Sequence, residues 1–216
     1  MVSKDTCALA GFLQRSGWDE SSLIALLTCT DLTIIRAATW TLAHIGTMRS
    51  SIPLATILHN DDAATADLAE NALWSIWLRS APPEAYKRLC AAIRLAEQDC
   101  CDQAHQEMDA ILRDNPDYCE AYNQRAIVKF LKSDFAGAAA DYQQAFNLNP
   151  VHFGALAGLG HCYAALGRYR DSLNVYRRVL GIHPRMEGIR TAISQIQRMV
   201  GFSAQTGRLP AYWAQS

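Results

Sequence analysis

What the chain lacks narrows its class before any motif is considered. No apolar stretch approaches the ~20 residues a membrane-spanning helix needs, because each is broken by Asp, Arg, His or Asn. The opening residues MVSKDTCALAGFLQRSGWDE lack the basic, apolar and small-residue progression of a secretory leader, so the expected compartment is the cytoplasm, with no membrane partner. An excess of one charge is also missing: 20 Lys and Arg stand against 21 Asp and Glu, which removes any chain-wide polyelectrolyte signal for nucleic acid. There is no C-x-x-C pair. The seven cysteines (Cys7, Cys29, Cys90, Cys100, Cys101, Cys119 and Cys162) form an odd set read as reduced, mostly buried thiols.

Constellations for chemistry are equally sparse. The segment GALAGLG (Gly154 to Gly160) follows no strand and sits inside a helical pattern, so it reads as packing glycine rather than a phosphate loop. Cys101 and His105 lie one helical turn apart, yet no second pair completes a four-ligand metal site. No catalytic group, metal or cofactor is expected.

What is present is repetition. Pro82, Pro116, Pro150 and Pro184 are each 34 residues apart, and the same interval relates Ala92, Ala126 and Gly160, then Ala104, Ala138 and Ser172, then Met108, Tyr142 and Tyr176. Within one period, apolar spacings of three and four appear on both sides of a polar break at Lys132 to Asp134, predicting helix, tight turn, helix. Small residues let the two helices approach, aromatic residues fill the space around them, and the proline ends the second helix.

FGALAGLGHCYAALGRYRDSLNVYRRVLGIHP, through Leu156, Leu159, Gly160, Tyr163, Gly167, Tyr169, Ser172, Tyr176 and Pro184, resembles the tetratricopeptide repeat family. The resemblance runs from about residue 85 to 184 in three copies, the first degenerate, with RMEGIRTAISQIQRMVG as a capping helix. Arg125 and Lys129 depart from it, standing where the third copy has Leu159 and Tyr163. Either their stems pack and their heads reach nearby carboxylates, or they contact an anion.

A different period of 31 sets Leu23, Leu26, Leu27, Asp31, Ala38, Leu42 and Ile45 against Leu54, Ile57, Leu58, Asp62, Ala69, Leu73 and Ile76. Each copy predicts a short helix, an Asp-capped turn and a longer helix, with Pro53 in a first turn. This resembles short HEAT-like repeats, also found in bilin lyase subunits. Asp31 and Arg36 fit the Asp–Arg ladder of that family, but Asp67 replaces the second Arg and should interrupt it. The expected architecture is an all-α superhelical solenoid: residues 1–79 HEAT-like hairpins, 80–84 a stiff Pro-rich elbow, 85–202 tetratricopeptide hairpins with their cap, and 203–216 a tail. Trp74 and Trp77 are expected to pack the junction.

The resemblance implies a concave groove lined by first helices. Its inward positions are Tyr86, Leu89, Ile93 and Glu97 in the first copy and Glu120, Asn123, Ile127, Phe130 and Leu131 in the second. The third supplies Gly154, Ala157, His161 and Ala165. Leu89, Ile93, Gln124, Gly154 and Gly158 occupy the places of a carboxylate clamp, which disfavours chaperone-tail binding. An apolar groove with a small-residue floor suits an apolar peptide or a helix. The expected function is therefore a non-catalytic scaffold, adaptor or assembly factor. The alternatives are an accessory role in cofactor attachment such as bilin loading, suggested by the HEAT-like half, and anion or nucleic-acid binding by the Arg-rich third repeat. Residues 97–120 hold eight acids and one Arg, while residues 168–198 hold seven Arg and two acids, a polarity that would allow head-to-tail self-association.

Overall fold

A computed structural model describes residues 17–206, with side chains described to residue 200. Cys7 and the tail aromatics Tyr212 and Trp213 lie outside the described residues. The described chain is entirely helical, an α-α superhelix of eleven helices and one 3-10 turn.

The first four helices are α1 (Glu20–Leu26), α2 (Leu32–Ile45), α3 (Ser51–Ile57) and α4 (Ala63–Leu78), with the 3-10 turn Met48–Ser50 before α3. The 31-residue pattern thus gives a short and a long helix twice. Both long helices begin on the expected aspartates: Asp31 accepts from the Thr33 N–H and Asp62 from the Thr65 N–H. Pro53 falls in the first turn of α3, where its missing N–H costs no helical bond. Leu42, Leu54, Leu58 and Leu73 form the fully buried core between these helices.

Seven further helices follow: α5 (Pro83–Glu97), α6 (Cys101–Asp114), α7 (Cys119–Leu131), α8 (Phe135–Leu148), α9 (Phe153–Ala165), α10 (Tyr169–Ile182) and α11 (Glu187–Thr206). The 34-residue period recurs in the backbone itself. Asp99, Ser133 and Gly167 end the first helix of each pair with φ of 62°, 61° and 72°. The next N–H in each case reaches back to close the turn, from Cys100 to Leu95 at 2.9 Å, Asp134 to Lys129 at 2.9 Å and Arg168 to Tyr163 at 2.8 Å. Only the third copy places glycine at this left-handed position, where it carries no Cβ penalty.

The small columns sit where helices touch: Ala92, Ala126, Ala104 and Ala138 are fully buried. The Tyr176 ring covers Gly160, where an added Cβ would come within 2.4 Å of it, and Tyr142 covers Gly158 at 2.3 Å. Ser172 Oγ donates to the Gly160 carbonyl at 2.8 Å, tying α10 to α9.

The connection between α4 and α5 is residues 79–82, with Pro83 as the first residue of α5. From there α4 folds back along the loops that precede the first helices of repeats two and three. Trp77 is fully buried and stacks on His152 with ring centroids 4.3 Å apart, while Trp74 meets Phe153 edge-on at 5.2 Å. The Tyr118 hydroxyl donates to the Leu78 carbonyl, and Glu70 pairs with His183 at 3.0 Å. Arg185 binds the Ala63 carbonyl at 2.8 Å and the Asp67 carboxylate. In consequence α1–α4 share one hydrophobic core with repeats two and three and α11, whereas the first repeat has a core of its own around Leu89, Met108 and Ile111.

Candidate functional site

Of the face expected from the first helices α5, α7 and α9, this chain covers a part with its own α4. Trp74 lies on Gly154, where an added Cβ would be 2.3 Å from the indole. Behind it Glu120, 1% exposed, pairs with His152 at 3.0 Å and accepts from the Asn123 and Gln124 amides at 3.0 and 2.7 Å. A buried carboxyl group is costly unless its oxygens are hydrogen-bonded in this way. Glu120, Asn123 and Ala157 are therefore buried wall rather than binding surface, and Leu89 is fully buried in the first repeat. Gly154, expected on the groove floor, is occupied by Trp74, and Gly158 and Gly160 are packed by Tyr142 and Tyr176.

Other expected positions of that face stay open. Ile127 is 37% and Leu131 61% exposed on α7, with Glu97 exposed and Tyr86 and Ile93 half-buried on α5. Phe130, His161 and Ala165 turn toward α11, and between them lies a cleft of about 550 Å³ whose far wall is Thr191, Ala192, Gln195, Ile196 and Met199. Among the described residues no Asp, Glu, Lys or Arg lines it. At its edge the Tyr176 hydroxyl and His161 Nδ1 are 2.6 Å apart. Loss of water around the imidazole holds the His161 pKa below its usual value, and burial pushes the Tyr176 phenol up to about 12. Both groups are neutral near pH 7. The capping helix made this cleft, and the expected groove positions did not include α11; the apolar stripe Ala192, Ile196 and Met199 was the signal for it.

The two misplaced cations are satisfied internally. Arg125 makes a two-pronged pair with Asp141 at 2.7 and 2.8 Å and reaches Asp109 at 2.7 Å, and Lys129 meets Asp141 at 2.8 Å. Much of the charge polarity is likewise internal. Glu107 and Asp114 pair with Arg88, and Asp102 with Lys132, leaving Glu97, Asp99 and Asp117 without a cation partner among the described residues of the acidic stretch. Arg36 of the first hairpin reaches Asp62 of the second at 2.7 Å. Asp67, where the next Arg would stand, serves the contact with Arg185 instead.

Cys119 and Cys162 are buried, and burial pushes both thiols up to about 12; Cys29, Cys90, Cys100 and Cys101 are half-buried, and all six described cysteines are free. Among the described residues no three His, Cys, Asp or Glu side chains gather at metal-binding distance, and no helix is long and apolar enough to cross a membrane.

Residues 130–196 match the tetratricopeptide repeat family model. A curated relative, a TPR repeat-containing protein of Rhizobium etli, is 35% identical over 52 residues, which is 24% of this chain and 26% of that protein. Thus the match spans about a quarter of that relative's length. Among solved structures, the first TPR domain of Spaghetti (RPAP3) bound to the HSP90 peptide SRMEEVD is similar with a TM-score of 0.53 and 21% identity, over 54% of this chain and 93% of that one. The Sgt2 TPR domain from Aspergillus fumigatus gives 0.56 and 16%, over 60% and 87%. These likenesses concern the fold.

Proposed function

We propose that this chain is a non-catalytic protein-interaction scaffold that takes a peptide or helical segment of a partner in the open part of its groove. The observation that carries the reading is the exposed apolar Ile127 and Leu131 on α7, the helix whose Phe130 lines a cleft of about 550 Å³ without charged side chains among the described residues. Solvent-facing apolar surface beside a formed pocket is a feature of binding sites. One fold neighbour was solved with an HSP90 peptide bound, which supports peptide binding as a use of this architecture. A chaperone tail is not the ligand we assign, because α4 covers the groove around Gly154.

Affinity capture with mass spectrometry, run in parallel on the wild-type chain and on Ile127→Asp, tests the scaffold reading. Ile127 is exposed, so the variant should keep its circular dichroism and melting temperature while losing a partner that the wild type retains. Identical recoveries from the two proteins would refute it.

A second reading rests on α10. Arg170, Arg177 and Arg178 are exposed there and have no carboxylate partner among the described residues. Binding of an anionic polymer to this face would weaken steeply with salt. Binding to single-stranded RNA that is absent at low salt, or indifferent to salt, removes it.

A further inference from the structure

We propose that the occupant of the cleft between α9 and α11 is an amphipathic α-helix of a partner protein, an inference that rests on the scaffold reading and specifies its partner class. Three observations carry it. First, among the described residues the cleft offers few side-chain hydrogen-bonding groups: Tyr169, the His161 and Tyr176 pair, Thr191 and Gln195. An extended peptide would bring one donor and one acceptor per residue into a space that cannot match them, and unmatched buried amides are costly. A helix satisfies its own backbone and presents only side chains.

Second, the backbone cannot be approached closely here, because the glycines of α9 are already covered by Trp74, Tyr142 and Tyr176. Recognition must use side chains projecting into the space between Phe130, Ala165 and Ile196. Bulky residues at i, i+3, i+4 and i+7 supply such a row.

Third, the ends of the open surface differ in charge. Glu97 is exposed on α5, while Arg198 is exposed on α11 one turn beyond the cleft-lining Gln195. The surface crosses α5, α7, α9 and α11; at about 10 Å between neighbouring axes it spans about 30 Å, the length of about 20 helical residues. The complementary helix carries Lys or Arg at the α5 end and Asp or Glu at the α11 end.

The test is a display selection of random 20-residue peptides against the full chain. The expected winners carry apolar residues at helical spacing without internal proline and gain helicity on binding. Their affinity should fall at least tenfold with Ala165→Arg and with Thr191→Arg. Both positions are exposed, and unchanged melting temperatures certify the fold. Winners with acidic carboxyl-terminal tails or proline-rich extended patterns, or helices indifferent to both arginines, overturn the helix while leaving the scaffold standing. A chain ending at residue 206 that selects helices when the full chain does not makes residues 207–216 the occupant, which also overturns it. No enrichment from either chain refutes the helix and the scaffold together.

Discussion

Single residues carry both the strain and the burial penalties of this fold. Ser133 holds φ at 61° in a turn where its counterpart one repeat later is Gly167. A non-glycine residue there costs about 1 kcal/mol, so Ser133→Gly should raise stability by about 0.5–1 kcal/mol, read as a higher urea midpoint. Asp141 behaves in the opposite sense. Its side chain is 7% exposed and answers two cations, Arg125 and Lys129. Asp141→Ala leaves both without that partner, and although Asp109 still serves Arg125, the loss should be about 3 kcal/mol. Lys132→Ala breaks a pair whose aspartate is 82% exposed and should cost under ~1 kcal/mol by the same urea titration. Arg125 and Lys129 were legible as anomalies in the sequence. Their resolution was not, because Asp141 and Asp109 lie on different helices and meet Arg125 only once α6, α7 and α8 pack.

Among the elements, α4 is the one whose role changed most between sequence and structure. Its amphipathic pattern, Asp cap and two tryptophans were readable, but its docking across repeats two and three depends on the direction the chain takes after Leu78. Trp77→Ala should destabilise the protein by about 3–5 kcal/mol, since it empties a fully buried site that contacts His152 and Phe153. The Asp67–Arg185 pair is more exposed, at 65% and 31% of the side chains, and a double-mutant cycle should give a coupling below ~1 kcal/mol. Charge reversal of both partners together should recover what either reversal alone loses. The cap of α4 also sets an acid response. Hydrogen bonds from Thr65 and Arg36 hold the Asp62 carboxyl at about 2, below its usual 3.8. A depressed carboxyl contributes stability above its unfolded value and loses it as pH falls through the folded one. Stability should decline between about pH 4 and 2, and Asp62→Asn should flatten that part of an acid titration.

At the scale of the whole molecule, the shared core makes α1–α4 part of the array. Leu42, Leu73, Phe153 and Tyr176 belong to one buried cluster, so calorimetry of the full chain should show one cooperative transition for this body. A chain beginning at residue 83 should melt lower, because Phe153 and His152 lose the indoles that cover them. Two separate transitions assigned to residues 17–78 and to repeats two and three would contradict the shared core. The sequence by itself determined the helices, their order and their hairpin pairing, because periods of 31 and 34 residues, aspartate caps and proline stops are local signals that each repeat states again. It also set Ile127, Phe130, Leu131, His161 and Ala165 as expected positions of one face, of which Phe130, His161 and Ala165 line the cleft. Which part of that face remains open was decided only by tertiary structure. The helix that covers it comes from about 80 residues away in the chain relative to Gly154, and the helix that walls the cleft belongs to the cap. Contacts at such separations follow from how the hairpins stack, and no local spacing encodes them.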